Sequence, residues 1–204
     1  MVQSLNRLKE TASQTAGPYV HIGLTPNFAE ITGVYGEDLG TSMVNDKTRG
    51  ERITIAGRVI DGADTPLRDC LIEIWQADGD GLHNSPSEMR GSADPNFTGW
   101  GRCPADQETG EFRFETVKPG RVPFNDGRLM APHVTFWIVA RGINLGLNTR
   151  MYFGDEEKAN AEDPVLARLE HKNRIPTLIA QRDGNTYRFD IRLQGDRETI
   201  FFDI

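Results

Sequence analysis

Apolar and polar residues alternate with a two-residue period along several short stretches of this chain, and each such stretch predicts a strand with one buried face. Arg52 to Ile60 sets Ile53, Ile55 and Val59 against Thr54, Ala56 and Arg58. Asp61-Gly62 marks a turn, and beyond Pro66 the run Cys70 to Ala77 places Cys70, Ile72 and Ile74 on one face and Leu71, Glu73 and Trp75 on the other. Glu111 to Val117 alternates again, with Phe112 and Phe114 opposite Arg113 and Glu115, until Lys118-Pro119-Gly120 stops it. His133 to Ala140 is the most apolar strand and Tyr187 to Leu193 the clearest alternation, while Thr149 to Phe153 and Thr199 to Phe202 add two short strands. Asp78 to Gly110 is dominated by Gly, Asp, Asn, Ser and Pro and reads as one long structured loop, of a length usually tied to function or to an interface. The clearest helical signal is Asp163-Pro164, an N-cap and first-turn proline ahead of Val165, Leu166 and Leu169.

Strands joined by turns, without β-helix-β alternation, predict an all-β fold of two packed antiparallel sheets, a β-sandwich with long loops and short helices. At 204 residues, 37% hydrophobic and 26% charged, the chain can build a substantial core as one domain. Its net charge of −7 is spread without a Lys/Arg cluster, which argues against a nucleic-acid partner and makes single arginines the places where an anion would bind. No apolar run approaches the ~20 residues needed to span a bilayer, and Met1 to Thr15 lacks a signal-peptide core, so a cytoplasmic location without membrane contact is expected. Cys70 and Cys103 are far apart in sequence and read as reduced thiols, outside any disulfide or zinc framework.

A set of motifs occurs in a fixed order: Glu73-Ile74-Trp75-Gln76-Ala77, Asp94-Pro95-Asn96-Phe97, Gly99 to Arg102, Thr116-Val117-Lys118-Pro119-Gly120, Ala131-Pro132-His133 and Met151-Tyr152-Phe153. In this set, spread over nearly the whole chain, the sequence resembles the intradiol ring-cleavage dioxygenases. Ser13 to Tyr19, Ala140 to Asn144, Phe189 to Arg192 and Phe201 to Asp203 are similar to the α type of chain in that family, which assembles with an iron-bearing β chain. The resemblance implies a prealbumin-like β-sandwich over residues 51–204, preceded over residues 1–50 by an arm and loop that join the subunit interface. It also implies a reaction of an (αβ)n hetero-oligomer, in which protocatechuate and O2 give 3-carboxy-cis,cis-muconate at Fe(III) held by the β subunit.

Catalytic chains of the family hold Fe(III) through two tyrosinates and two histidines, a donor set that leaves room for a bidentate catecholate. Their histidines lie in an H-x-H strand motif, and the matching triplet here is His133-Val134-Thr135, in which a neutral hydroxyl poorly replaces an imidazole. The tyrosine positions fall at or next to His83 and at Val122. The resemblance therefore implies no metal and no catalytic residue of this chain's own. It implies instead that Gly17, Pro18, Tyr19 and Arg141 line the partner's substrate pocket, with Gly17 permitting close backbone approach and Arg141 presenting its planar guanidinium to a carboxylate.

From the residues alone other readings stay open. Arg141 reads first as a strand-end salt bridge, Gly17-Pro18 as an ordinary turn, and Phe201 and Phe202 as core or interface aromatics. An independent dioxygenase would use His83 and His133 with Asp78 or Asp80 around an atypical metal site. A non-enzymatic β-sandwich binding module is the third reading.

Overall fold

The structure, a computed structural model, describes residues 14–17, 19–144 and 146–203. Its strands are β1 (Arg52–Ile60), β2 (Leu71–Trp75), β3 (Trp100–Pro104), β4 (Glu111–Val117), β5 (His133–Val139), β6 (Leu147–Phe153), β7 (Ile179–Asp183), β8 (Thr186–Arg188) and β9 (Ile191–Arg192). Two short helices, α1 (Tyr19–Leu24) and α2 (Glu157–Glu162), and 3-10 turns at Leu166–Arg168 and Lys172–Leu178 lie outside the sheet.

All nine strands belong to one mixed sheet in the order β3-β2-β5-β6-β7-β8-β1-β4, with β9 beside β1. β3 comes back against β4, so the sheet nearly closes on itself as a barrel. This overturns the expected prealbumin-like sandwich of two antiparallel sheets, although the chain is all-β. The parallel pairs β6–β7, β1–β8 and β1–β9 join what a reading from hairpins leaves apart. The chain between β6 and β7 passes through α2 and both 3-10 turns, long enough to return in the same direction. Turn residues reveal hairpins and say nothing about which strands meet across such a crossover.

The alternation marks the core well. Ile53, Ile55, Phe112, Phe114, Tyr187, Phe189 and Ile191 are all buried, as are Val134, Phe136 and Ile138 of β5. Phe136 packs between Phe112 and Phe189 at ring separations of 5.8 and 5.3 Å, and each such aromatic contributes about 1.5–3 kcal/mol through burial.

Four local expectations fail. The predicted strand Tyr187 to Leu193 is split into β8 and β9, because the Asp190 carboxylate takes the Arg58 N–H at 3.0 Å and interrupts the ladder. The long loop contains β3, whose Gly101 lies against Met43, where a Cβ would meet Sδ at 2.6 Å. Thr199 to Phe202 contributes only a bridge from Phe202 to Asn148. The helix expected after Asp163-Pro164 is a single 3-10 turn, although Asp163 Oδ1 does accept the Val165 and Leu166 N–H groups as a cap, both at 2.8 Å.

Candidate functional site

Strand β5 ends at Val139, and the chain turns through Arg141 and Gly142, whose φ of +89° favours glycine. The Arg141 side chain is 75% exposed. Its Nε and Nη2 donate to one oxygen, Asp69 Oδ2, at 3.0 and 2.8 Å. A guanidinium has five N–H groups, so three are left without a partner among the described residues, both of those on Nη1 included.

The segment that holds Gly17 is clipped to the same corner. Thr15 Oγ1 donates to Ala140 O at 3.1 Å and accepts from Gly142 N at 2.9 Å, and Thr15 forms a bridge with Asn144. Gly17 is exposed, with nothing within 4 Å of where a Cβ would stand, and Tyr19, the first residue of α1, is 79% exposed. Pro18 lies outside the described residues. Helix α1 is tied down by His21, whose Nε2 is 3.1 Å from Asp69 O; a carbonyl only accepts, so Nε2 carries the proton. Thr15 and His21 thus bring both sides of the Gly17–Tyr19 segment to the residues that flank Arg141, beside a cleft of about 670 Å3 lined in part by His21, Phe28, Arg68 and Arg141.

The four positions that the resemblance matches to iron ligands lie around the other end of β5, roughly 25 Å along the strand from Arg141. His133 Nδ1 donates to Ala131 O at 2.8 Å, which leaves Nε2 as the lone pair. Burial and the neighbouring Arg150 cation push its pKa down to about 4. Thr135 has Trp75 of β2 and Arg150 of β6 as its direct cross-strand neighbours. Val122 is buried and packs with Ala77 and Met130. The His83 ring stacks on Trp75 at 5.8 Å with 8° between the planes, burial lowers its pKa, and its Nδ1 is buried without a hydrogen-bond partner among the described residues.

Asp78 and Asp80, the carboxylates of the independent-dioxygenase reading, are otherwise engaged. Asp78 is buried, and its oxygens accept the N–H groups of Asp80, Leu82 and Asp94 at 3.0, 2.9 and 2.8 Å. Asp80 is exposed and faces Arg49 at 3.6 Å. Among the described residues no group of three or more His, Cys, Asp or Glu is placed to hold a metal. Asp69 and Arg150 carry no signal in the sequence, and Thr15 none beyond the resemblance of its segment, because their importance comes from cross-strand register and from a clip across more than 120 residues of chain.

A family model described as Dioxygenase matches residues 24–195. The chain is 44% identical over 200 residues to the protocatechuate 3,4-dioxygenase α chain of Pseudomonas putida, covering 96% of this chain and 97% of that one. The chain belongs to the intradiol dioxygenase family. It is also 36% identical over 182 residues to the protocatechuate 3,4-dioxygenase β chain of Burkholderia cepacia, covering 79% of this chain and 76% of that one. Among solved structures, the dioxygenase domain of a carbohydrate-binding fusion from Streptomyces sp. SirexAA-E matches with a TM-score of 0.53 at 25% identity, over 78% of this chain and 88% of that one.

Intradiol dioxygenases depend on Fe(III), a hard cation that calls for anionic oxygen donors. The side chains of this member do not fit it. Position 122 offers buried hydrocarbon, position 135 a neutral hydroxyl and position 83 a stacked imidazole. His133 keeps one lone pair, but the neighbouring Arg150 cation, which already lowers its pKa, repels a trication.

Proposed function

We propose that this chain is the iron-free α-type subunit of a protocatechuate 3,4-dioxygenase, paired with an Fe(III)-bearing β subunit whose active site it completes. The observation that carries this reading is the contrast within β5: a donor-rich, exposed Arg141 corner at one end and a filled ligand position at the other. Similarity to both an α and a β chain supports an αβ hetero-oligomer. Exposed Ile22, Ile31, Val34, Tyr35 and Leu39 make the segment ahead of β1 suitable for a subunit interface. Among the described residues no helix is long and apolar enough to cross a membrane, and we place the assembly in the cytoplasm.

The assembly converts protocatechuate and O2 to 3-carboxy-cis,cis-muconate, with iron of the β subunit supplying the oxygen chemistry. This chain's part is recognition. The free edge of Arg141 pairs with the substrate carboxylate, a geometry suited to two parallel N–H···O bonds, and so orients the ring with its hydroxyls toward the partner. Gly17, Pro18 and Tyr19 form pocket wall, where the absence of a side chain at Gly17 admits the substrate ring close to the backbone. The test is to express this chain alone, the β chain alone and both together, and to measure iron and protocatechuate-dependent oxygen uptake. Iron is expected to follow the β chain and full activity to require both; stoichiometric iron with ring cleavage in this chain alone, or full activity without it, overturns the reading.

A further inference from the structure

Building on the assignment of Arg141 to the substrate carboxylate, we infer that Asp69 is a positioning residue for that recognition, fixing the guanidinium so that its outer edge faces the ligand. Asp69 lies in the turn before β2, and both bonds from Arg141 converge on its Oδ2. Holding Nε and one N–H of Nη2 sets the plane of the group and leaves the Nη1 side as the free edge. The main chain of Asp69 is itself anchored, since its carbonyl accepts from His21 Nε2 at 3.1 Å. An ion pair whose side chains are 75% and 38% exposed adds little to stability, so holding the fold together does not account for this one. Geometry and charge make opposite demands here. The Asp69 carboxylate repels an anionic ligand, and between exposed groups that repulsion is weakened by water and salt; loss of orientation is not screened.

Two substitutions in the αβ holoenzyme separate these effects. Asp69→Ala removes both acceptor and charge, whereas Asp69→Asn removes the charge and keeps a carbonyl oxygen that can still accept from Arg141. Asp69→Ala is expected to raise KM for protocatechuate about fivefold with kcat held within about twofold, and Asp69→Asn to raise KM by no more than about twofold. The inhibition constant of catechol, which lacks the carboxylate, stays unchanged in both. An unchanged or lowered KM in Asp69→Ala, or a parallel weakening of catechol, overturns the positioning role. Arg141→Ala in the same assay keeps the two layers apart. If it raises KM and Asp69→Ala does not, only the role of Asp69 fails; if it leaves KM unchanged, the reading of Arg141 fails and this inference with it.

Discussion

The two ends of β5 are built by opposite rules. Past Val139, Arg141 stands in solvent with three N–H groups to spare, held by a carboxylate that is itself partly exposed. At His133 the imidazole is half-buried with its Nδ1 spent on Ala131 O, and hydrocarbon fills position 122. A residue that recognises a ligand must keep hydrogen-bonding capacity in reserve at the surface. A residue that holds a fold together must use that capacity inside, because a buried polar group without a partner costs about 1–3 kcal/mol. Substitutions at the His133 end should therefore register in stability, and those at the Arg141 end in substrate capture.

The largest effect is expected at Asp163, which is fully buried and accepts Ala131 N at 2.7 Å besides the N–H groups of Val165 and Leu166 at 2.8 Å. It pins the segment entering β5 to the loop after α2. Asp163→Ala strands two buried donors and one part-buried donor and should lower the unfolding free energy by about 3–5 kcal/mol in urea titration. A loss under about 1 kcal/mol would break the contrast at its structural end.

His133 gives the next largest signal, and its sign is fixed by linkage. Unfolded, the imidazole takes a proton near 6.5; folded, it resists until about 4. Between those values the unfolded chain binds more protons, so stability present above pH 6.5 is lost as the pH falls toward 4, by about 3 kcal/mol. His133→Asn should flatten that part of the stability curve. An unaltered slope between pH 6.5 and 4.5 would show that the burial of this ring carries no such penalty.

Arg141→Ala tests the other end. Losing a charged hydrogen-bonding partner should cost capture of protocatechuate about 1.5–3 kcal/mol, roughly 10- to 150-fold in kcat/KM, through KM. The unfolding midpoint should barely move, because the ion pair with Asp69 lies at the surface. A large stability loss with intact kinetics would invert the comparison.

How far the sequence reveals this arrangement depends on where the information lies. β4 is legible residue by residue, since one face is core and the other is not, whereas β1 is buried on both faces from Ile53 to Gly57, so its period marks Ile53, Ile55 and Val59 as core but misses Thr54 and Ala56. β3 is hidden, because Trp100-Gly101-Arg102-Cys103-Pro104 has no alternation and its pairing with β2 supplies the order. The near-closed sheet rests on parallel pairs across long connections, which no local pattern encodes. Family resemblance, and not periodicity, points to Gly17, Tyr19 and Arg141, and the groups around them come from chain crossings. Thr15 reaches Ala140 and Asp69 reaches Arg141 only once the fold exists.

The smallest expected effect is the most direct challenge to the idea that the His133 end differs by more than missing donors. Thr135→His restores the two-residue spacing that places both imidazoles on one face of β5. The site is half-buried and bordered by Trp75 and Arg150, so the larger ring should change stability by less than about 1 kcal/mol. Iron should still not bind. Two neutral imidazoles offer no anionic oxygen, Val122 keeps hydrocarbon where a phenolate is needed, and the Arg150 cation that already depresses the His133 pKa repels a trication more strongly than a proton. Metal analysis after exposure to ferric salts should find the substituted chain no richer in iron than its parent. Stoichiometric iron would mean that donor count alone, and not the charge and packing set around it, separates the two ends of the strand.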